Sequence, residues 1–354
     1  MEARNAIKIE RCAKSRIDEV DFKNLGFGNY VTDHMLMADY YNQQWNETQI
    51  VPFQSITLSP TALVFHYGQT VFEGMKAFRM QNGQISIFRM EAHWHRFNLS
   101  LQRMCMPEVP YELFSKGIES FISIDSNWLK DSEGMSLYIR PFMFATEERY
   151  GVKISESYKF IVFAGAVGKY YSKPLRVKVE ETFVRASKGG TGTAKCGGNY
   201  GGAFYPTLQA QKQGFDQVLW TDGSQDCNIE ESGTMNVMFV IDGKIVTPAL
   251  SGSILGGVTR DSLLKLAKNL GYKIEERKIS AHELRSLFEE DRIQEAFGTG
   301  TAAVTACIES ISIFGSEYKL PIINENSCQT KLHKLLSDIR LGIEKDIFNW
   351  NYVI

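Results

Sequence analysis

Glycine is concentrated in one short stretch, and this stretch constrains the fold and the function most strongly. Seven of the 29 glycines fall in 189–202, whereas the whole chain has only 9 prolines. Such crowding is typical either of a flexible linker or of backbone that another group must approach closely. Two phosphate-loop templates fail: a Walker A loop needs glycine in place of Ala194, and the dinucleotide fingerprint needs glycine in place of Lys195. A linker is also a poor interpretation, since the stretch holds Lys195 and Tyr200 and leads into a helical stripe.

Lys195 is the residue in this stretch that suggests chemistry. The amine of lysine attacks aldehydes once it is desolvated or placed near other positive charge. Taken alone, Lys195 is compatible with an ordinary surface lysine. The glycines on both sides favour a close approach by a flat ligand, so we predict a nucleophilic lysine.

Charge and hydropathy exclude several classes of partner. The net charge is −2, from 39 basic and 41 acidic residues, and no basic cluster stands out, so we expect no nucleic-acid binding. The longest apolar run, 160–167, is far shorter than the ~20 residues that span a bilayer, and we expect no membrane partner. The first residues mix acids with bases and lack an apolar signal core, which predicts a cytoplasmic protein. Six scattered cysteines without a C-x-x-C pair indicate reduced thiols.

Turn signals and apolar patterns predict an α/β fold with α+β character, in which hairpins and mixed sheets alternate with helices. Asn82-Gly83 and Asp242-Gly243 each separate two strand-like runs, as in two-residue hairpins. Asp222-Gly223 predicts a further turn. This pattern does not favour a doubly wound parallel sheet.

Three helices are predicted from periodicity and capping residues. One runs from Thr259 to Leu270, with Thr259 as its N-cap and Gly271 as its stop. A capping box at Ser280 and Glu283 begins another. The third has an inward face with i, i+4, i+7 spacing, formed by Phe97, Leu101 and Met104.

The length of 354 residues predicts about two domains. A boundary is expected where the apolar run ends and Pro174 interrupts regular structure. We therefore predict a small N-terminal α/β domain over 1–167, a linker over 168–178, and a large C-terminal α/β domain over 179–354 that carries Lys195.

The segment KCGGNYGG around Lys195 resembles the cofactor-lysine segment of branched-chain amino-acid aminotransferases, which are pyridoxal-phosphate enzymes of fold type IV. The resemblance covers residues 22 to 345, and seven further segments match that family in its order: TDHMLM (32–37), FHYGQTVFEGMKAF (65–78), SLYIRP (136–141), DQVLW (216–220), EESGTMNVMFV (230–240), SILGGVTRDSLL (253–264) and FGTGTAA (297–303). It implies a two-domain fold type IV enzyme with pyridoxal 5'-phosphate between the domains, working as a homodimer or higher homo-oligomer. The implied reaction is reversible amino-group transfer between L-leucine, L-isoleucine or L-valine and 2-oxoglutarate, so the expected partners are small amino acids and 2-oxo acids.

The resemblance also assigns cofactor contacts. Lys195 is the Schiff-base residue, and its released amine moves a proton between the substrate and the cofactor. Glu231 is the partner of the pyridine nitrogen, although chemistry alone does not separate it from the adjacent Glu230. Tyr200 lies near the phenolic oxygen of the cofactor. The phosphate contacts are Arg89, Val258, Thr259 and Thr301, of which Val258 and Thr259 open a helix and so offer free N–H groups.

The substrate pocket must accept both an apolar side chain and the distal carboxylate of glutamate. By resemblance, Tyr67, Phe72 and Tyr138 form its apolar walls, with Tyr67 supplied by the neighbouring subunit. Arg140 reaches the distal carboxylate, and backbone N–H groups at Thr301 and Ala302 hold the α-carboxylate. Tyr170 is expected to help close the pocket.

Other interpretations remain open at this point. D-amino-acid aminotransferases and aminodeoxychorismate lyases share the fold, and a non-catalytic nucleotide-binding module is a rival from another class. His93 and His95 could suggest a metal, but residues i and i+2 do not face each other on a helix, so we expect no metal site. Cys307 lacks the second cysteine of a C-x-x-C pair, and we expect no thiol switch there. The direction in vivo and the preference among leucine, isoleucine and valine cannot be determined from the sequence.

Overall fold

The computed structural model describes residues 7–130, 134–168 and 170–354. Within it the chain divides into two compact units. The first unit comprises the chain up to Tyr170 together with Ala194–Gly197 and Arg340–Ile354, and the second comprises Tyr171–Thr193 and Gly198–Ile339.

The division at Tyr170 falls inside the predicted linker 168–178, and the first strand of the second unit begins within that range, at Leu175. Two segments lie in the first unit although the sequence assigns them to a C-terminal domain: 194–197, which includes Lys195, and 340–354. Main-chain hydrogen bonds to the first unit account for both. Phe72 N–H donates to the carbonyl of Lys195, and Gln81 N–H donates to the carbonyl of Leu341.

The first unit contains eight strands and three helices before residue 170. The strands are β1 (Lys8–Ile9), β2 (His34–Tyr41), β3 (Gln44–Pro52), β4 (Thr70–Phe72), β5 (Met75–Arg79), β6 (Ile85–Phe88), β7 (Ser136–Ala145) and β8 (Tyr158–Val167). The helices are α1 (Leu63–Tyr67), α2 (Met90–Arg103) and α3 (Tyr111–Ile124), with short 3₁₀ turns at Ile17–Glu19 and Ser126–Trp128.

The second unit continues with nine strands and five helices. The strands are β9 (Leu175–Val179), β10 (Gln217–Thr221), β11 (Ile229–Ser232), β12 (Met235–Ile241), β13 (Lys244–Thr247), β14 (Ile274–Glu276), β15 (Ile293–Gly300), β16 (Val304–Ile313) and β17 (Ser316–Lys319). The helices are α4 (Gly198–Gly201), α5 (Phe204–Lys212), α6 (Val258–Asn269), α7 (Ala281–Glu289) and α8 (Cys328–Arg340). The chain then returns to the first unit as β18 (Asn351–Val353).

Each unit is built on one nine-stranded sheet. The first sheet has the order β1-β3-β2-β8-β7-β5-β6-β18, with β4 paired to β7, and only its β1–β3 pair is parallel. The second has the order β11-β10-β9-β16-β15-β12-β13-β14, with β17 on β16. Its parallel pairs are β9–β10, β9–β16 and β13–β14. These mixed sheets with helices confirm the predicted α/β class.

The predicted hairpins form where the turn residues indicated. Asp242-Gly243 is the whole connection between the antiparallel strands β12 and β13. Asn82-Gly83 lies in the connection between the antiparallel strands β5 and β6, but that connection runs from residue 80 to residue 84, so the prediction of a two-residue turn is wrong there. Asp242 and Gly243 have φ angles of 50° and 72°, as the twist of a two-residue hairpin requires. Asp222-Gly223 directly follows β10.

The helix starts agree with the prediction only in part. The N-cap of α6 is Gly257 and not Thr259, because extended backbone already ends at Gly257 and Thr259 is buried within the first turn. Ser280 caps α7 by accepting Glu283 N–H at 3.0 Å. The Glu283 carboxylate pairs with Arg277 at 2.6 Å. Its side chain is therefore directed to Arg277 and not to the main-chain N–H of Ser280, which a capping box would require.

Each unit has its own apolar core. In the first, α2 and α3 pack on the sheet through Phe97, Phe114, Phe121, Trp128 and Phe160. In the second, the sheet packs through Val177, Leu219, Phe239, Leu284 and Ile311. Among the described residues, none of the helices combines the length and apolar character needed to cross a bilayer.

Candidate active site

Lys195 is fixed by its main chain in the first unit. Its N–H donates to Ser100 Oγ on α2 at 2.9 Å, and its carbonyl accepts Phe72 N–H at 3.0 Å. The next residue, Cys196, forms an antiparallel bridge with Val71 on β4. The main chain of the lysine is thus held on both sides by hydrogen bonds within the first unit.

The ring of Phe72 brings two cationic groups together. Lys195 Nζ lies 4.7 Å from the ring centroid, and the guanidinium carbon of Arg140 lies 4.9 Å from it. Arg140 Nη2 donates to the Tyr138 hydroxyl at 3.3 Å, whereas its buried Nε has no hydrogen-bond partner among the described residues. An unsatisfied buried donor is costly. Arg140 is therefore suited to an acceptor that a bound molecule supplies.

The surroundings of Tyr138 contain residues that the sequence reasoning missed. A Cβ at Gly74 would lie 1.9 Å from the Tyr138 hydroxyl oxygen, so only glycine leaves room for the hydroxyl. Lys76 is directly opposite Tyr138 in the β5–β7 register and is buried. Burial, together with the nearby charge of Arg340, lowers the pKa of Lys76 to about 7. Both residues belong to FEGMKAF, a segment that the family resemblance had already marked.

Tyr170 and Tyr67 have different environments. Tyr170 lies edge-on to Phe27 at 4.8 Å between centroids, and Phe27 lies edge-on to Tyr138 at 4.9 Å. Phe27, which the sequence did not suggest, thus links Tyr170 to Tyr138. Tyr67 is the last residue of α1, and 43% of its surface is exposed. Its hydroxyl donates to the carbonyl of Tyr150, a residue that is itself 80% exposed.

Arg89 has a strained backbone in the first unit. It precedes α2 with a φ of 56°, in the left-handed region that non-glycine residues rarely occupy. Its N–H donates to the carbonyl of Trp350 at 2.7 Å, and its guanidinium carbon lies 5.2 Å from the Trp350 ring. Strain of this kind is typical of ligand-binding positions, where the surroundings hold it in place.

Glu231 is the buried carboxylate of the second unit with the most partners. It forms an ion pair with Arg185 and accepts Asn236 Nδ2 at 3.2 Å and Leu255 N–H at 3.3 Å. Arg185 also donates to the carbonyls of Gly192 and Ser253. Arg185 was missed because a single arginine in the segment FVRAS gives no sequence signal of an ion pair with a distant carboxylate.

Glu230 and Glu231 differ in their surroundings, as successive residues of a strand should. The Glu230 carboxylate accepts the Ser253 hydroxyl, and its Oε2 is buried without a hydrogen-bond partner among the described residues. Burial raises the pKa of Glu230. In the described part of the chain, the Arg185 guanidinium lies at ion-pair distance from the Glu231 carboxylate and not from that of Glu230.

The N-terminus of α6 is close to Glu231 through Asn236. Asn236 Nδ2 donates to the carbonyl of Leu255, and a Cβ at Gly257 would lie 2.0 Å from Asn236 Oδ1. Val258 and Thr259 form the first turn of this 12-residue helix. Its first N–H groups have no carbonyl in the helix to bond, and the helix dipole adds positive potential there.

Three other residues predicted to bind cofactor or substrate lie in a turn and in a short helix of the second unit. Thr301 and Ala302 form the half-buried turn between β15 and β16. Val304 ends this turn with a φ of 65°, which is strained for a β-branched residue. Tyr200 is half-buried in the four-residue α4.

The glycines around Lys195 are not all explained by the approach of a ligand. A Cβ at Gly192 would lie 2.4 Å from the carbonyl oxygen of Ser253, and one at Gly197 would lie 3.0 Å from Thr70 Cγ2. Glycine at these two positions makes room for other residues of the chain, not for a ligand. At Gly198 and Gly201, by contrast, a Cβ would meet no atom within 4 Å.

His93 and His95 do not form a pair. His93 is buried beside Glu73, with Nδ1 3.3 Å from Glu73 Oε1, whereas the His95 side chain is 62% exposed. Over 7–130, 134–168 and 170–354, no group of three His, Cys, Asp or Glu side chains is placed to hold a metal ion.

The donor set matches the needs of pyridoxal phosphate. In the first unit, the amine of Lys195 could bind its aldehyde and Arg89 could contact a phosphate. In the second unit, the carboxylate of Glu231 could pair with a protonated pyridine nitrogen and the start of α6 could contact a phosphate. The strained φ of Arg89 and the glycine N-cap of α6 are features that a bound anion would explain.

Comparisons with known proteins identify the family of the chain. The model of the family described as Amino-transferase class IV matches residues 70–311. A Staphylococcus epidermidis protein named probable branched-chain-amino-acid aminotransferase is 42% identical over 352 residues, covering 97% of both chains. Branched-chain-amino-acid aminotransferase 2 of Bacillus subtilis is 42% identical over 336 residues, covering 93% of this chain and 92% of that protein.

Solved structures show the same fold. The branched-chain amino acid aminotransferase of Escherichia coli superposes with a TM-score of 0.74 at 24% identity, over 90% of this chain and 98% of that chain. A branched-chain amino acid aminotransferase of T.th., complexed with N-(5'-phosphopyridoxyl)-L-glutamate, has a TM-score of 0.70 at 25% identity, over 89% of this chain and 97% of that chain. The chain belongs to the class IV aminotransferases, which depend on pyridoxal phosphate.

Proposed function

We propose that the chain transfers amino groups reversibly between L-leucine, L-isoleucine or L-valine and 2-oxoglutarate. One observation carries the proposal: Lys195 and Arg140 lie over the same Phe72 ring, so their cationic groups are less than about 10 Å apart. Lys195 provides an amine for the α-carbon end of the substrate, and Arg140 provides a guanidinium for a distal carboxylate. This arrangement suits a dicarboxylate such as 2-oxoglutarate. The Phe72 ring between them offers contact for an apolar side chain.

Lys195 would act as the acid and base of the reaction. Bound pyridoxal phosphate supplies an electron sink that weakens the bonds at the substrate α-carbon. Lys195 Nζ would take the proton from the substrate α-carbon and return it to the former aldehyde carbon of the cofactor. The hydrogen bonds that Ser100 and Phe72 make to its main chain orient the side chain for this transfer.

The other predicted residues would bind and orient. Glu231, held by Arg185, would keep the pyridine nitrogen protonated. The phosphate would be held by Arg89, Val258, Thr259 and Thr301, and Tyr200 would face the phenolic oxygen.

The substrate would contact polar groups at its two ends and apolar rings between them. Arg140 and Tyr138 would bind the distal carboxylate of glutamate, with Phe72 against the apolar side chains. N–H groups at Thr301 and Ala302 would bind the α-carboxylate. The exposed Tyr67 would complete the pocket of a partner in a homodimer. The cytoplasmic location stays a prediction.

A substrate panel tests the proposal. The purified protein is assayed with L-leucine, L-isoleucine, L-valine and D-alanine, each with 2-oxoglutarate, and with aminodeoxychorismate, with and without added pyridoxal phosphate. We expect glutamate from the three L-amino acids and none from Lys195→Ala. Turnover of D-alanine or aminodeoxychorismate instead would assign the chain to another activity of the same fold.

A further inference from the structure

We propose that the buried Glu73–Arg96 ion pair, with His93, positions Lys195 for catalysis. The inference rests on the proposed function, because it concerns how the reactive amine of that site is held. None of the three residues has a role in the site as predicted from the sequence, although Glu73 lies in the FEGMKAF segment and His93 belongs to the histidine pair considered for a metal.

The carboxylate end of the ion pair is fully enclosed and hydrogen-bonded at both oxygens, and the Arg96 side chain is 12% exposed. Glu73 has 0% exposed surface, and Arg96 donates to it through two nitrogens, Nε at 2.8 Å and Nη2 at 2.5 Å. Gly74 N–H donates to Glu73 Oε1 at 2.7 Å, and His93 Nδ1 lies 3.3 Å from the same oxygen. A charge pair that is this deeply buried and this completely satisfied holds its two backbone elements in one geometry.

The two elements that the pair joins are those that hold Lys195. Glu73 directly follows Phe72, whose N–H donates to the Lys195 carbonyl. Arg96 lies one turn before Ser100 on α2, and Ser100 Oγ accepts the Lys195 N–H while donating to the carbonyl of Arg96 at 2.9 Å. The pair therefore fixes the distance between Ser100 Oγ, which accepts the Lys195 N–H, and the Phe72 N–H, which donates to the Lys195 carbonyl.

The charges persist at every pH where the enzyme could work. Burial alone would raise the pKa of Glu73, but Arg96 and His93 outweigh it and hold that pKa well below the ordinary value. Burial lowers the pKa of His93, and Arg96 is the arginine whose guanidinium pairs with the Glu73 carboxylate. The ion pair is therefore independent of pH near neutrality.

The matched test removes both charges at once. Breaking a buried pair on one side is strongly destabilising, whereas replacing both partners is often neutral. Glu73→Gln/Arg96→Met leaves no unpaired charge and keeps an acceptor for Gly74 N–H. We expect the thermal midpoint to stay within a few degrees of wild type, kcat with L-leucine to fall ~10- to ~100-fold, and KM to change less than about threefold.

A second readout does not depend on turnover. The rate at which pyridoxal phosphate attaches to Lys195 of the apoenzyme, followed by absorbance, should fall by at least ~10-fold in the double variant, because the amine is less well oriented. A comparable buried pair that does not touch Lys195, formed by His34 and Asp125 at 2.6 Å, provides the control. His34→Gln/Asp125→Asn should leave both kcat and the attachment rate at wild-type values.

Ser100→Ala removes the acceptor of the Lys195 N–H, together with the bond from Ser100 Oγ to the carbonyl of Arg96, and introduces no charge. It should show the same pattern of lowered kcat with KM nearly unchanged, and it decides the question if the charge variants do not fold. The inference would be overturned if a folded double variant kept the wild-type kcat and attachment rate. If the double variant does not fold, the same result in Ser100→Ala would overturn it. An inactive wild-type enzyme on the whole substrate panel would instead refute the proposed function.

Discussion

Replacing Arg140 by methionine should separate the two substrates of the proposed reaction. The guanidinium lies 4.9 Å from the Phe72 centroid and makes one hydrogen bond, at 3.3 Å, to Tyr138. Its buried Nε has no partner among the described residues. Arg140→Met keeps most of the apolar contact with Phe72 and removes the charge, so the loss should fall on a substrate with a distal carboxylate.

The magnitude follows from the bonds that such a carboxylate would form. A hydrogen bond to a charged group contributes about 1.5–3 kcal/mol. At about 1.4 kcal/mol for each factor of ten, kcat/KM for 2-oxoglutarate should fall ~10- to ~150-fold. L-leucine brings no distal charge, and its kcat/KM should change less than about threefold. Arg140→Lys keeps the charge without the planar fork and should give an intermediate loss.

The assay measures each half-reaction separately, by the change in cofactor absorbance after mixing with L-leucine or with 2-oxoglutarate. Arg285→Met serves as a control, because that arginine pairs with Glu289 on the exposed face of α7. Equal losses for both substrates, or no loss for 2-oxoglutarate, would refute the assignment of Arg140 to the distal carboxylate.

Three further predictions test other parts of the structure. Glu231→Gln should lower kcat by at least ~100-fold, the typical cost of losing a preorganised electrostatic partner, whereas Glu230→Gln should change it little because the Glu230 carboxylate is bound to the Ser253 hydroxyl; equal effects would contradict the assignment. Ser280→Ala should lower the free energy of unfolding by about 1 kcal/mol in urea titrations, since it removes the N-cap of α7, and an unchanged midpoint would contradict that role. Burial raises the pKa of Asp33, but hydrogen bonds from Arg16 N–H, Ser15 and Trp128 outweigh it and leave that pKa below the ordinary value of an aspartate. Asp33→Asn should therefore destabilise the protein near neutral pH, and the difference from wild type in urea titrations should shrink as the pH falls below the ordinary aspartate pKa; a difference that grows on acidification would show the opposite sign.

Local sequence determined much of the local structure. The Asn82-Gly83 and Asp242-Gly243 turns placed two hairpins, and Ser280 marked the start of a helix, because these features depend on neighbouring residues alone. The ordered motifs identified the family, and with it the cofactor, and they predict Lys195 as the cofactor lysine. The start of α6 was misplaced by two residues because the choice of N-cap depends on burial, which the local pattern does not reveal.

Tertiary structure decided which charges are paired. Nothing in the sequence near Arg185 indicates that it lies against Glu231, and Glu230 differs from Glu231 only by which face of β11 it occupies. Glu73 and Arg96 are far enough apart in sequence that only the packing of α2 shows their contact.

The lysine itself shows the same distinction. The sequence alone determined that Lys195 stands among glycines and resembles a cofactor lysine. Only the folded chain shows that its peptide groups are bound by Ser100 and Phe72, since hydrogen bonds between residues far apart in sequence exist only once the elements have packed. Local propensities act within a few residues, whereas the environment of a reactive group is made by the elements that fold around it.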